Sequence, residues 1–327
     1  MYSTVERIYV SLRRIVGMAT LICIVSIVGA CSLDDARDLC CDTGRAMRYS
    51  YRPYGAEAFS GYIFSLRHFL YDDSGNSIGE IPPGQNLRLQ PLELGVGEYL
   101  MVTVGNMSEI SLTGHGGGAS IDSLTLVSIA SYEDSDDTLS NGDELYWGVK
   151  RFVIDGRGMA MDAGRQSEAI PVTYMNNIHC HLAVRVEWDN VPPYVGDYEM
   201  ELDGVPVRYT LHPDLAHNAG GFVVPDADRL GVHRLRVPLR SQVLTGEFVT
   251  LRYANDAIPV LRLFFGSEQV SPDIDLGRAF RIWGWSPSDT HVQNYAVTVR
   301  IYGDGRADIY PRISATIDDW INGGSFS

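Results

Sequence analysis

Positive charge is scarce in this chain, and lysine is nearly absent. Lys and Arg together number 26 against 41 Asp and Glu, and Lys150 is the single lysine. The formal net charge of the 327 residues is −15 at pH 7. A surface of this sign excludes a nucleic-acid partner, which requires a basic face. It also argues against electrostatic docking on anionic lipid.

The chain also lacks a hydrophobic run long enough for a stable membrane span. Its most apolar stretch, residues 15–30, falls short of the roughly 20 residues that cross a bilayer. Arginines precede this stretch and Cys31 follows it directly, an order typical of a cleaved leader. Small residues before Cys31 predict cleavage between Ala30 and Cys31 by a lipoprotein signal peptidase. The alternatives are a secreted protein with a chance cysteine and an N-terminal membrane helix.

We therefore expect residues 1–30 to be a lipoprotein signal peptide. They carry three Arg and one Glu, so their removal takes the formal charge from −15 to −17. Cys31 would then bear a diacylglycerol on its thiol and a further acyl chain on its amine. Each buried methylene contributes about 0.8 kcal/mol and one chain anchors only marginally, so several chains anchor firmly.

Residues 31–46 are predicted to be an acidic tether between the lipid and the fold. The tether begins with Ser32, Leu33, Asp34 and Asp35. This start resembles the signal that sends outer-membrane lipoproteins of Bacteroidetes-type bacteria to the outside face. A solvated linker without an address is the alternative, since charge runs are usually only solvated.

Cysteine is scarce as well, with five in the chain. Once Cys23 leaves with the leader and Cys31 is acylated, Cys40, Cys41 and Cys180 remain. Adjacent cysteines rarely pair with each other, because disulfide geometry needs a Cα separation that a trans peptide does not easily supply. One bond from Cys180 to either neighbour is possible, but we expect no essential disulfide.

No long stretch has a convincing helical repeat, and from Met47 onward the pattern is that of strands separated by Gly, Pro and Asp turns. The candidate strands are residues 47–52, 62–71, 98–104, 144–154, 181–188, 198–202, 205–211, 233–239, 247–253, 260–265, 295–302 and 307–313. Short helices are allowed around residues 121–131 and 270–276. Many short strands at this spacing predict an all-β chain of two tandem β-sandwiches. Apolar periodicity lapses between Met161 and Cys180, which divides the chain into residues 47–168 and 169–327.

The sequence contains no recognisable set of catalytic residues. Residues 114–118, Gly-His-Gly-Gly-Gly, are similar to the oxyanion-hole loop of some esterases, but that chemistry also needs a Gly-x-Ser-x-Gly elbow. The nearest segment, residues 284–288, has Pro and Ser where the turn requires glycine. We therefore predict no catalytic residue, no cofactor and no small-molecule substrate.

Metal-ligand patterns are incomplete. His179 and His181 lie on one face of a predicted strand, but a zinc site needs three or four ligands, and no partner cluster is visible in the sequence. The acidic stretches 72–76 and 134–137 offer oxygen ligands, yet neither fits a twelve-residue calcium loop. We interpret them as a hairpin turn and an exposed loop, and we predict no metal site.

Aromatic residues are the remaining candidates for a ligand surface. Trp283 and Trp285 share one face of an extended segment and could form an exposed glycan platform. Trp147, Trp188 and Trp320 lie in or beside predicted strands, which favours positions in the core or on a sheet face.

Several stretches resemble one protein family. Residues 62–75 look like its first long strand and turn. Residues 92–99 and Gly105-Asn106 are similar to its leucine, gap, glycine, tyrosine … glycine-asparagine stretch. Residues 143–148, Asp-Glu-Leu-Tyr-Trp-Gly, are close to its leucine-tyrosine-tyrosine-glycine signature, and residues 181–186 look like the strand that opens its second domain. This is the FimB-like anchor subunit family of type V (Bacteroidales) fimbriae.

The resemblance implies two transthyretin-like β-sandwich domains and no catalysis. It implies a minor subunit at the base of a fimbrium, held in the outer membrane by acyl chains and facing the cell surface. Such a subunit anchors the fibre and limits its length, and its partner is the fimbrial stalk (major) subunit. Stalk subunits join by donor-strand complementation, in which a strand from one subunit fills a groove in the next. A lipidated anchor is expected to keep its own first strand, residues 47–52, in that groove.

The tail 316–327, with the apolar Ile317 and Trp320, is a candidate stalk contact, and a plain last strand with a frayed end is the alternative. The competing functions are a fimbrial tip or stalk adhesin subunit and a surface glycan-binding lipoprotein. Stalk and tip subunits are trimmed after an arginine, and arginines occur here at positions 45, 48 and 52. An anchor should retain Cys31, whereas a trimmed subunit should lose it.

Overall fold

The structure is a computed structural model that describes residues 45–53, 55–108, 110–128, 142–163, 170–210, 227–288 and 293–312. Within these ranges the chain is almost entirely β-strand. It has two short helices, α1 (Phe59–Tyr62) and α2 (Leu276–Ile282), and one 3-10 turn at Ile121–Ser123. The predicted all-β sandwich fold is confirmed. Among the described residues, no helix combines the length and the apolar character needed to cross a bilayer.

The first sandwich consists of two sheets. Sheet I contains β1 (Ala46–Ser50), β4 (Leu89–Pro91) and β10 (Val172–Tyr174). Sheet II contains β2 (Leu66–Asp72), β3 (Ser77–Ile81), β5 (Gly97–Gly105), β8 (Tyr146–Ile154), β9 (Ala160–Asp162) and β11 (Asn176–Asn177). The strand order is β10-β1-β4 in sheet I and β11-β8-β5-β2-β3 in sheet II, with β9 paired to β8.

The central strands of sheet II are buried on both of their faces. Along β5, residues 100–105 are all buried, so this strand lacks the alternation of a half-exposed strand. One face of the sheet packs against sheet I through side chains such as Met101 and Phe152. The opposite face, with Val102 and Trp147, packs into a separate core. Sheet II is therefore the middle layer of the first half of the molecule.

The second sandwich also consists of two sheets. Sheet III contains β12 (His179–Trp188), β15 (Val243–Leu251), β19 (Asn294–Ile301) and β20 (Ala307–Pro311). Sheet IV contains β6 (Ile110–Thr113), β7 (Thr125–Ser128), β13 (Asp197–Thr210), β14 (Ala227–Pro238), β16 (Val260–Phe265), β17 (Glu268–Gln269) and β18 (Ile274–Asp275). The order is β15-β12-β19-β20 in sheet III and β17-β16-β13-β7-β6 in sheet IV, where β14 pairs with β13 and β18 pairs with β16.

Strand β13 joins the two sandwiches. β14 pairs along one edge of β13, and the opposite edge is divided between two strands. β16 takes residues 199–203 of that edge, and β7, from the first half of the chain, takes residues 208–210. β6 then pairs with β7. Sheet IV thus continues from the second sandwich onto the first, and a core containing Leu126 and Tyr209 fills the space between it and sheet II.

Strand pairing passes from the first sandwich to the second at Ile178. β10 and β11 still pair with β1 and β8, whereas β12 opens sheet III. This changeover lies beyond the boundary predicted between residues 168 and 169. Residues 47–168 and 169–327 also share a sheet, because β6 and β7 fall within residues 47–168 but belong to sheet IV.

Most sequence-predicted strands within the described residues overlap an observed strand, but three local predictions are wrong. The run 62–71 begins as α1 and becomes a strand only at Leu66. The helix allowed at 121–131 is a single 3-10 turn followed by β7. The helix allowed at 270–276 is largely non-helical, and α2 begins at Leu276, where the Asp275 carboxylate accepts a hydrogen bond from Arg278 N at 2.7 Å.

Candidate functional site: the seat of the first strand

Strand β1 is the central strand of sheet I, so both of its neighbours depend on it. It pairs in parallel with β10 and antiparallel with β4. Arg48 N donates to Pro171 O at 2.9 Å on one side, and Tyr49 N donates to Arg88 O at 3.0 Å on the other. Without β1, the two outer strands would lose their hydrogen-bonding partner and would be separated by an open groove.

The inner face of β1 fills the space between sheets I and II. Met47 and Tyr49 have 0% of their surface exposed, and Tyr51 has 3%. Thr173 Oγ1 of β10 lies 2.9 Å from Met47 Sδ. Burial of each such side chain contributes about 1.5–3 kcal/mol. We call this space, bounded by β4, β10 and sheet II, the β1 seat, and it is occupied by the protein's own strand.

A buried polar network fixes the register of β1 in the seat. Tyr49 Oη and Thr103 Oγ1 each lie 3.1 Å from His68 Nδ1. The rings of Tyr49 and His68 stack with centroids 5.2 Å apart. Burial lowers the pKa of His68 to about 4 and raises the pKa of Tyr49 above its usual value, so both side chains are neutral near pH 7. A slip of one residue would turn Tyr49 away from this network.

Glu57 fastens the chain where it leaves β1. Its carboxylate accepts hydrogen bonds from Ser50 Oγ at 2.6 Å, Tyr51 N at 3.2 Å and Phe59 N at 3.1 Å. Burial alone would raise the pKa of Glu57, but these hydrogen bonds and the nearby Arg88 outweigh burial and hold the pKa below its usual value. The ionised carboxylate therefore stabilises the turn that leads from β1 into α1.

The three arginines considered as trimming positions lie at different places relative to the β1 seat. Arg45 precedes β1 and is exposed, with its guanidinium donating to Arg157 O at 3.3 Å. Arg48 is half-buried within β1, and Arg52 lies beyond it, paired with Glu57 at 3.6 Å. Cleavage after Arg45 would leave the seat filled, whereas cleavage after Arg48 or Arg52 would remove strand residues from it.

Gly148, the last residue of the 143–148 motif, lies directly under sheet I. A Cβ on Gly148 would come within 2.6 Å of Thr173 Cγ2 and 3.0 Å of Tyr174 O, both on β10. β10 therefore reaches its position beside β1 only because residue 148 has no side chain. This contact gives a physical reason for the glycine in that motif.

Asn106 holds the turn after β5. It adopts φ +59°, a backbone conformation in which asparagine is more common than most residues. Its side chain accepts a hydrogen bond from Phe64 N at 2.8 Å and donates one to Tyr62 O at 2.7 Å. The Gly105-Asn106 pair thus connects the end of β5 with the segment between α1 and β2.

The family model described as fimbrillin-A associated anchor proteins Mfa1 and Mfa2 matches residues 41–322. The chain belongs to this family. The match confirms the resemblance to fimbrial anchor subunits that the sequence motifs indicate. No curated protein sequence matches the chain.

Solved structures share the fold at low sequence identity. The fimbrial anchor protein Mfa2 from Porphyromonas gingivalis has 12% identity and a TM-score of 0.56, with 82% of this chain and 96% of that chain covered. A candidate polysaccharide-binding protein from Bacteroides thetaiotaomicron has 15% identity and a TM-score of 0.58, with 82% and 95% covered. A candidate adhesin from Bacteroides ovatus has 13% identity and a TM-score of 0.58, with 83% and 93% covered. At these identities the likeness concerns the fold alone.

Several predicted site residues lie outside the described residues. These are the cleavage site at Ala30 and Cys31, the export signal at Ser32, Leu33, Asp34 and Asp35, the tail residues Ile317 and Trp320, and Cys40 and Cys41. Cys180 is described as a free thiol, and complete burial raises its pKa. Cys180 therefore behaves as a small apolar core residue rather than a reactive thiol.

The segments considered for catalysis have structural roles in the fold. Residues 114–118 form a turn against β3, where Ser77 Oγ donates to His115 O at 2.9 Å. In the segment 284–288, Pro287 O accepts a hydrogen bond from Arg252 Nε at 2.7 Å, which fastens the segment to the end of β15. The acidic stretch 72–76, considered for calcium rather than for catalysis, is the predicted hairpin turn between β2 and β3, in which Asp72 Oδ1 accepts a hydrogen bond from Asn76 N at 2.8 Å.

The tryptophans considered for a glycan platform are not fully exposed. Trp283 and Trp285 are half-buried against the core of the second sandwich, with their ring centroids 4.9 Å apart in an edge-to-face contact. Trp147 is buried and Trp188 is half-buried, as their strand positions predict. Trp320 lies outside the described residues.

Proposed function

We propose that this protein is a lipid-anchored minor fimbrial subunit that holds a fimbrium at the outer membrane and limits its length, without catalysis. The family supports a fimbrial role at the cell surface. The observation that carries the anchoring role is the occupied β1 seat, in which β1 lies between β4 and β10 and its Met47 and Tyr49 side chains are completely buried against sheet II. A subunit whose seat is already filled by its own strand has no place there for a strand from another subunit.

Termination of the fibre follows from this occupancy. A polymerising subunit must both donate a strand and accept one, so that the fibre continues in both directions. If this subunit accepts no strand at the β1 seat, the fibre ends at it. The lipid proposed on Cys31, joined to the fold by the acidic segment that precedes β1, would then hold that end in the outer membrane.

The partner in this proposal is the fimbrial stalk subunit. Its contact must lie away from the filled seat, and the tail 316–327 is the candidate, with Ile317 and Trp320 as its apolar residues. Deletion of residues 322–327 should weaken retention of the stalk on the cell. Unchanged retention after this deletion would assign the contact to another surface.

The experiment that tests the anchoring role is the intact mass of the N-terminal peptide, measured on protein from washed outer membranes and from sheared fimbriae. Acylated Cys31 in the membrane fraction is the expected result. A start directly after Arg48 or Arg52 in the sheared fibre would mean that the seat is emptied and that the protein is a stalk or tip subunit. A start after Arg45 would remove the lipid but keep the seat filled, and it would contradict anchoring through Cys31.

A pair of cysteine variants gives the functional control. Cys31→Ala should release fimbriae into the medium because the acyl chains have no attachment point, whereas Cys40→Ala, a few residues away in the tether, should leave them on the cell. Equal retention by both variants would refute lipid anchoring at Cys31. Electron microscopy of the same cells tests the length limit, since cells without the protein should carry longer fimbriae.

A further inference from the structure

Two histidines and a glutamate from distant parts of the sequence meet at the junction of the two sandwiches. Glu144 lies just before β8, and His179 and His181 lie at the start of β12. One ligand atom from each of the three residues lies within 4.8 Å of the other two. His181 Nε2 and a Glu144 oxygen are 3.1 Å apart, close to the roughly 3.3 Å separating two ligands of one tetrahedral zinc ion.

The hydrogen bond of His179 leaves the correct nitrogen for a metal. His179 Nδ1 lies 2.9 Å from Leu145 O. A carbonyl can only accept, so Nδ1 carries the proton and Nε2 carries the lone pair. Metal-binding histidines commonly donate their second ring nitrogen to a backbone carbonyl or a carboxylate in this way, which fixes the tautomer and the ring orientation.

His181 has the same kind of outer partner. Its Nδ1 lies 2.9 Å from a Glu247 oxygen on the neighbouring strand β15. Glu247 can therefore orient the imidazole while Nε2 faces Glu144. His179 is buried, His181 is half-buried and Glu144 is exposed. One side of the cluster thus remains open for a water molecule or another ligand.

The backbone that carries Glu144 is held in place on both sides. Gly142 N donates to Val249 O at 2.8 Å, and Asp143 Oδ2 accepts a hydrogen bond from Ser108 N at 2.6 Å. Leu145 O accepts from Ile178 N at 3.0 Å in addition to His179. The three potential ligands are therefore positioned by backbone contacts before any ion binds.

We propose that Glu144, His179 and His181 bind one zinc ion at the junction of the two sandwiches, with Glu247 as a positioning residue. Two imidazoles and a carboxylate are a ligand set that zinc uses in proteins, with a water in the fourth position. The nitrogen ligands disfavour calcium and magnesium, which prefer oxygen. Because Glu144 precedes sheet II and the histidines belong to sheet III, the ion would tie the two sandwiches together. This inference does not depend on the anchoring role.

Without an ion, the same residues can form a hydrogen-bonded network in which a protonated His181 bridges Glu144 and Glu247. Burial by itself would lower the pKa of His181, but hydrogen bonds to these two carboxylates raise it overall. The test must therefore separate a zinc site from a purely ionic network.

The test is isothermal titration of zinc chloride into the full-length protein, purified in detergent without a histidine tag and treated with a chelator beforehand. A Cys40→Ser/Cys41→Ser background removes two thiols that could bind zinc themselves. We expect one saturable site per chain, at least tenfold weaker after Glu144→Gln or His181→Gln, and about tenfold weaker after Glu247→Gln. His115→Gln, a histidine in the 114–118 turn, is the matched control and should bind as the background does.

Two further readouts distinguish a built site from loose binding. Cobalt should give the visible absorption of a tetrahedral ion in the background protein and should lose it after His181→Gln. At the same zinc concentration, the Tm should rise more in the background protein than in Glu144→Gln, whose half-exposed side chain can be changed without unfolding the chain. Failure to bind zinc saturably, or equal affinity in Glu144→Gln and the background, would overturn the proposal and leave the ionic network.

Discussion

Replacement of Arg252 by methionine tests whether one buried side chain holds the junction of the two sandwiches together. Arg252 directly follows β15 and is 0% exposed. Its Nε donates to Pro287 O at 2.7 Å, its Nη2 donates to the same oxygen, and its Nη1 donates to Asn177 O at 3.1 Å. Burial lowers the pKa of Arg252 to about 10, and the side chain remains charged at neutral pH.

The expected loss of stability follows from the acceptors that remain. Methionine fills a similar unbranched volume but donates no hydrogen bond, so two buried carbonyls lose a charged donor. Each buried group left in this way costs about 1–3 kcal/mol. Pro287 O retains a hydrogen bond from Gln293 Nε2 at 3.0 Å, which places its cost near the lower end. We therefore expect Arg252→Met to lower the free energy of unfolding by about 3 kcal/mol.

Urea unfolding followed by tryptophan fluorescence measures this loss. Arg252→Lys should lose less, because the ammonium group retains the charge and can still reach one of the carbonyls. Arg278→Met is the matched control, since Arg278 is exposed on α2 and its loss should change stability by less than about 0.5 kcal/mol. An Arg252→Met protein as stable as the wild type would show that these hydrogen bonds only offset the desolvation of the guanidinium.

Three further predictions concern the first sandwich, each measured by urea unfolding. Gly148→Ala should lower the free energy of unfolding by about 2 kcal/mol, because the added Cβ would overlap β10. Gly117→Ala is the control and should have no effect, because a Cβ at that position meets no atom within 4 Å. Equal effects of the two variants would refute the close approach of β10. Asn106→Ala should cost about 2 kcal/mol, because it loses the side-chain hydrogen bonds with Tyr62 O, Phe64 N and Ser65 N and places a non-glycine residue at φ +59°. Asn106→Gly loses the same hydrogen bonds but adopts this φ without strain, so it should cost less; an equally costly Asn106→Gly would contradict the strain. The pKa of His68 is about 4 in the folded protein and about 6.5 in the unfolded chain, so the unfolded chain takes up the proton first as the pH falls. The free energy of unfolding should therefore decrease as the pH falls from 6.5 toward 4, with a contribution from His68 of about 2 kcal/mol at pH 5. A His68→Leu variant with the same pH dependence as the wild type would contradict this assignment.

The central strands of sheet II are buried on both faces, and this burial explains why the start of β2 was predicted incorrectly. Residues 66–72 and 97–105 read as long apolar runs because their side chains enter a core on either face. Periodicity cannot distinguish such a run from the residues that precede it, so the segment 62–65 appeared to belong to the same strand. The observed start at Leu66 depends on α1 and on the hydrogen bonds from Asn106, which lies far along the chain.

Only part of the candidate metal site could be predicted from the sequence. The histidine pair at 179 and 181 is visible in the sequence because alternate residues of a strand share a face. Glu144 could not be assigned to them, because it is separated from His179 by the whole of β8 and by the segments that follow it. No local signal marks Glu144 as a partner, and only the packing of sheet II beside sheet III brings its carboxylate to His181.

The sequence by itself determined the properties that depend on neighbouring residues. Turn chemistry placed the hairpin at 72–76, alternation placed strands such as residues 260–265, and the motifs in their order indicated the fimbrial anchor family. Tertiary structure decided which strands pair: β1 between β4 and β10, and β7 on the edge of β13. Strand partners are chosen by backbone hydrogen bonds and side-chain packing between residues far apart in the chain. A local pattern specifies that a strand forms, but it does not specify the strand beside it.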